Sequence, residues 1–206
     1  MKLGIPAALT QALNPVAQGF YIRLAAGIGG VQAVAAMATG TRIESVVFMI
    51  SISYSMAIVP FVGHNYGANA LNRVQETRRI STRLAFLYAG ITLLLLFPTA
   101  HWISSWFSTD PVVIKMSVTY LLFAVLGHAG FHVSTWMSQI LNVIGKPKPV
   151  LLINLSRVFV FIMPLSFLGS RLFGYTGLVA GLALANLLAG ALAYHTTRKQ
   201  LKKLSA

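Results

Sequence analysis

The sequence has no cysteine. That rules out a disulfide framework, a thiol nucleophile and a cysteine-based metal centre, and it leaves the redox compartment open. Acid is almost as scarce, since Glu44, Glu76 and Asp110 are the three carboxylate side chains set against 16 Lys and Arg. Charged residues make up only 9% of the chain, where a soluble domain devotes about a quarter of its residues to them. Too few charges remain to coat a surface that faces water. No Ser/His/Asp set, no metal triad and no phosphate-cradling GxxxxGK[ST] run is present, so an enzyme is not expected.

What the chain does contain is apolar matter in long runs. It is 56% hydrophobic with a mean hydropathy of +0.74. Crossing a bilayer core takes roughly 20 helical residues. Hydrophobic length, together with Gly, Pro and charge punctuation, gives six such spans at about 3–24, 31–61, 79–98, 112–143, 150–168 and 178–194. The second is longer than a bilayer requires and must tilt or project. The expected fold is all-α: one polytopic membrane domain over 1–206, a bundle of six transmembrane helices. Lys2 precedes a long apolar helix without a cleavage pattern, so the first span is expected to stay in the mature chain.

A formal charge of +13 invites a nucleic-acid reading, but the basic residues form short clusters between hydrophobic runs, with no aromatic-rich soluble module around them. Topology accounts for them better. Lys2, Arg73, Arg78, Arg79, Arg83, Lys146, Lys148, Arg198, Lys199, Lys202 and Lys203 fall on one side of the six spans. Arg23, Lys115 and Arg171 fall on the other, and Arg42 and Arg157 lie within spans. Cytoplasmic segments carry the basic excess, so both termini are expected in the cytoplasm and the protein in the inner membrane.

Polar residues inside spans are costly and face a bundle interior or a cavity. Gln11, Asn14 and Gln18 share one face of the first span, and His128, His132, Thr135, Gln139 and Asn142 share one face of the fourth. Each stripe either contacts a substrate or ties helices together. His128 and His132 are four apart, as paired metal ligands are, but no Cys or nearby carboxylate completes a metal site. Proton exchange near neutral pH is the alternative role. Glu44 lies about 27 Å back from Val62 at 1.5 Å per residue, near the outer boundary of the core, so Arg42 and Glu44 are expected to snorkel to that interface. Arg157 sits about 13 Å into the fifth span and needs a partner: Asn154, a carbonyl, or Glu44. Asp110, before Pro111, suits a helix start, while Glu76 is solvated among arginines. Pro15 and Pro164 predict kinks. Gly177, Gly181, Ala185, Ala189 and Ala193 recur every fourth residue and predict a smooth packing seam.

The order of local motifs adds information. A first helix bearing Pro6 and Gln11 is followed by GGVQAVAAMATGTRIES, FVGHNYGANALNRV, NVIGKPKPVLLIN and GYTGLVAGLALAN. This succession resembles the multidrug and toxic compound extrusion (MATE) family, most of all the second of its two six-helix lobes, with features of the DNA-damage-inducible branch. The resemblance covers nearly the whole chain. Its most specific part is the turn built on Gly63, Asn65, Gly67 and Ala68, followed by Arg73; those glycines are expected to let the backbone turn tightly. The resemblance implies export of small organic, often cationic, compounds in exchange for Na⁺ or H⁺, with no other cofactor, and both polar stripes lining the cavity.

Family members carry about twelve helices, so the resemblance also implies a second six-helix lobe, either a missing half or another copy of this chain. A fragment, split gene product or decayed gene is the expected status. Some branches hold the coupling cation on carboxylates of this lobe's first and fourth helices, yet both spans here lack Asp and Glu. The chain is therefore expected to lack its own coupling residue. A lipid-linked precursor flippase of the same fold and a vestigial protein without transport are the competing readings.

A reporter fused after Ala206 should be accessible from the cytoplasm alone. Protease or label access to it from outside intact cells would overturn the six-span topology.

Overall fold

The computed structural model describes residues 4–205, with side chains described for 12–204, and it is helical throughout with no strand among the described residues. Four helical runs are long and apolar enough to cross a membrane, and two of them are broken in the middle. The run Gly4–Gly67 breaks at Gly29 (φ −130°, ψ 17°) and Gly30 (φ 57°, ψ −142°), separating α1 (4–28) from α2 (31–67). Next come α3 (Leu71–Ser105) and α4 (Pro111–Val143). α5 (147–172) starts as Pro147–Leu155, widens into a π-helical turn at Ser156–Ile162 and resumes from Met163. A second break, at Phe173 and Gly174 (φ 58°, ψ −138°), leads into α6 (175–205). Gly30 and Gly174 occupy a backbone region that side chains with a Cβ reach only under strain. A single glycine therefore replaces a loop at each reversal. The result is the six-helix membrane bundle that hydrophobic length predicts.

The helices outlast the predicted spans. α2 continues to Gly67, α3 starts at Leu71 and passes Pro98 to reach Ser105, and α6 absorbs the basic tail. A helix satisfies its own backbone groups, so nothing compels it to end where the apolar run does. This corrects the expected turn motif. Gly63, Asn65 and Gly67 are helical, Ala68 follows directly, and Asn69 (φ 55°) makes the reversal. A Cβ on Gly67 would meet nothing within 4 Å, and one on Gly63 would meet Val143 Cγ1 at an ordinary 3.7 Å. The Asn65 amide donates to the Phe61 carbonyl (2.8 Å), and Arg73 is exposed on the first turns of α3.

Pro164 follows the π-helical turn. Its ring clashes with the carbonyl four residues back, at Val160, and its missing N–H releases one helical bond. Widening the preceding turn relieves both problems, and that turn carries Arg157.

The small-residue seam packs as its spacing predicts. Gly181 faces the Leu165 backbone and Gly177 the Gly169 carbonyl across the α5–α6 hairpin. Ala185, Ala189 and Ala193 are fully buried. On the neighbouring face, Gly127 and Gly130 of α4 meet the backbone of α6 at Ala183, Asn186 and Leu187, so a Cβ at Gly130 would collide with main chain. Close approach of this kind substitutes for the hydrophobic driving force that lipid does not supply.

The two ends of the bundle are tied by polar contacts. At the end carrying the 68–70 turn, the buried Arg78 guanidinium lies 4.4 Å from the centre of the Tyr194 ring, linking α3 to α6. At the other end, Asp110 caps α4 by accepting from the Val112 N–H (2.8 Å) and receives the Gln32 amide of α2 (2.9 Å). The Gln32 amide first, and then the Val112 N–H, hold the Asp110 carboxyl below its ordinary value. Because the folded-state value is the depressed one, this stabilisation is present above the unfolded carboxylate range and is lost as pH falls through the folded value.

Gly63→Ala should stabilise the bundle by about 0.5–1 kcal/mol, since it removes backbone freedom from a helix interior that has room for a methyl group. Gly130→Ala should lower the unfolding temperature in detergent. Equal effects of the two substitutions on that temperature would contradict the close α4–α6 seam.

A carboxylate–histidine cavity inside the bundle

A cavity of about 280 Å³ opens among α1, α2, α4, α5 and α6. α1 contributes Asn14 and Gln18, α2 contributes Thr41, Glu44 and Phe48, and α4 contributes Tyr120, His128 and Phe131. α5 adds Arg157, and α6 adds Asn186. Asn14 and Gln18 are exposed. Amides exposed within a membrane span are costly against acyl chains.

Glu44 corrects the sequence-based expectation most sharply. Its carboxylate does not snorkel to the interface. Oε2 accepts the Tyr120 hydroxyl at 2.7 Å, and Oε1 lies 2.6 Å from His128 Nε2. With Glu44 ionised both oxygens accept, and the Nε2-protonated imidazole is the matching donor. His128 is about 26 Å along α4 from Pro111 and about 22 Å from Val143, and Glu44 is about 21 Å along α2 from Gly30 and about 35 Å from Gly67, so the acid lies inside the bundle, away from both helix ends. Two directed donors offset its lost hydration. Exposed Arg42, two residues away, points off this face.

Gly40 makes the arrangement possible. A Cβ there would collide with the edge of the Tyr120 ring, so the glycine one turn before Glu44 provides the slot from which Tyr120 reaches the carboxylate. Gly40, Tyr120, Tyr21 and Asn186 are cavity features that polar-stripe reasoning does not find. A signal for them exists: Gly40, Glu44, Phe48, Ser51 and Ser55 follow one face of α2, alternating small or polar groups with a single aromatic.

The two polar stripes fare differently. Asn14 and Gln18 line the cavity, while the Gln11 side chain lies outside the described residues. On α4, only His128 of the five reaches it. His132 is fully buried, with Nδ1 2.7 Å from Ser51 Oγ and its ring stacked on Trp136 at 5.5 Å. Thr135 and Gln139 are half-buried and Asn142 is exposed, all beyond the cavity. The stripe is about 21 Å long at 1.5 Å per residue, and the cavity takes only its upper end. Gly63, Asn65, Gly67, Ala68 and Arg73 start about 22 Å further along α2 than Phe48 and do not meet the cavity. Among the described residues, no group of three or more His, Asp or Glu is placed to hold a metal.

Arg157 finds its partner across the cavity. Nη2 donates to Asn14 Oδ1, and the guanidinium sits over the Phe131 ring, 5.1 Å from its centre. Asn154 instead donates to the Val150 carbonyl within its own helix (2.9 Å). Glu44 and Arg157, two charged side chains that line this cavity, form no ion pair with each other.

Comparison with known proteins places this geometry. The MatE family model matches residues 6–168. An FAD transporter of Shewanella oneidensis is 31% identical over 194 residues, covering 94% of this chain and 43% of its own length. The multidrug export protein MepA of Staphylococcus haemolyticus is 25% identical over 191 residues, covering 89% of this chain and 40% of its own. Among solved structures, the MATE transporter VcmN of Vibrio cholerae superposes with a TM-score of 0.92 at 25% identity, over 98% of this chain and 46% of that one. The chain thus spans less than half the length of these relatives. With the family model covering most of its residues and the same helical bundle in VcmN, the chain belongs to the MatE family of membrane transporters.

Proposed function

We propose that the chain forms the second lobe of a secondary efflux transporter, with the cavity as its substrate-facing wall and Glu44 as its coupling group. The observation that carries the proposal is the Glu44 carboxylate, held inside the membrane bundle by Tyr120 and His128 in a cavity that the exposed Asn14 and Gln18 also line. A carboxylate there is stable only while its donors stay in place or while it is neutral. Taking up a proton neutralises it and changes its bonds to both α4 side chains, which links protonation to the α2–α4 contact.

The donors also favour H⁺ over Na⁺. Both Glu44 oxygens already face O–H or N–H groups, and Na⁺ would have to displace them to gain oxygen ligands. Substrate and proton then compete for one cavity, as exchange by alternating access requires. The α1 side would meet a second six-helix lobe, a missing half or another copy, related by an axis along the membrane normal. The basic end would face the cytoplasm. The cargo is a small organic compound; the multidrug relatives suggest cationic dyes, and the FAD transporter suggests flavin nucleotides.

Liposomes carrying the chain, alone or with a co-expressed second lobe, should move ethidium against an imposed H⁺ gradient. Glu44→Gln should lower that flux at least tenfold while leaving membrane insertion intact. Unchanged flux in the variant, or no flux in either arrangement, would contradict the assignment.

A further inference from the structure

The two charges in the cavity are satisfied unequally. Glu44 is bonded on both oxygens, and its ion-pair partner is His128. Arg157, only 6% exposed, reaches no carboxylate among the described residues. Among the described residues its hydrogen-bond partner is the neutral Asn14 amide, and its Nε is buried without a partner there. A buried guanidinium in this state retains its charge and spare donor capacity, and a planar oxyanion is the group that best matches its fork.

The surroundings favour a flat ring beside that anion. The guanidinium lies over Phe131, which packs against Phe48 at 5.1 Å with an interplanar angle of 34°. Together they form an aromatic floor next to the positive charge. Asn186 of α6, which also lines the cavity, has a buried Oδ1 without a partner among the described residues, and Gln18 offers an exposed amide. These groups can pair with the ring nitrogens and carbonyls of a heteroaromatic compound. A planar cation finds the same floor but meets the unneutralised Arg157 beside it.

We propose that the cavity selects planar heteroaromatic compounds bearing a phosphate or carboxylate, and that Arg157 determines this specificity by binding the anionic group. The inference rests on the transporter reading and narrows its cargo.

Three planar fluorophores separate the possibilities: flavin mononucleotide, riboflavin, which has the same ring without phosphate, and ethidium, a planar cation. Binding to the purified full chain in lipid nanodiscs is read by fluorescence anisotropy. Flavin mononucleotide should bind at least tenfold tighter than riboflavin, the scale of one charge-assisted hydrogen bond. Arg157→Gln, which can still bond Asn14, should bring that ratio to about one, and Arg157→Lys should keep part of it. A ratio near one in the native chain, or one that survives Arg157→Gln, would overturn the proposal. Ethidium binding tighter than flavin mononucleotide would overturn it as well, while leaving proton-driven ethidium flux and the transporter reading in place. Failure of the helical, inserted chain to bind any of the three would overturn the proposal, while the transporter reading stands or falls by the liposome flux.

Discussion

A carboxylate inside a bundle of membrane helices has to find its own donors, and the arrangement of this bundle follows from how Glu44 does so. Its two donors both come from α4, eight residues apart, and each is aimed by packing. Gly40 leaves the slot for the Tyr120 ring. His128 is wedged against Phe48, with ring centres 5.0 Å apart. α4 is in turn seated on α6 through Gly127 and Gly130, and α6 on α5 through its own small-residue seam. The distance between α2 and α4 is thus fixed from one side by the carboxylate and from the other by glycines that let main chains touch. Lipid supplies no hydrophobic pressure for this packing, so close contact and directed hydrogen bonds together must hold the bundle.

The same constraint explains why the second charge stays apart. Arg157 enters the cavity on the widened turn before Pro164, where it meets Asn14 and Phe131 and makes no ion pair with Glu44. Direct pairing of the two would leave the cavity neutral and structurally closed. Kept apart, the two charges let the proposed proton and ligand roles fall to separate groups.

Length, hydropathy and punctuation made the helical membrane fold legible, because hydrophobic thickness is a linear property that a sequence displays directly. The four-residue recurrence in α6 likewise announced its seam. Glu44 shows the limit of such reasoning. Counting residues from the inner turn yields a depth and no azimuth, so it could not show that Glu44 points at α4. The α2 face of Gly40, Glu44, Phe48 and Ser51 held the missing information. Its meaning depended on Tyr120 and His128, which are remote in sequence. The α4 stripe failed in the complementary way, since shared azimuth does not ensure shared surroundings along about 21 Å of helix. The VGHNYGAN glycines looked like a turn because glycine often makes one, but a single left-handed Asn69 suffices.

The direct test of the account is a double-mutant cycle between Glu44→Gln and His128→Gln, read as unfolding free energy of the full chain in detergent. Residues that contact across the cavity should show a coupling of about 1–3 kcal/mol, with the double variant less destabilised than the sum of the singles. Additivity within about 0.5 kcal/mol would mean that the carboxylate and the imidazole do not meet, and the coupling site built on them would not exist.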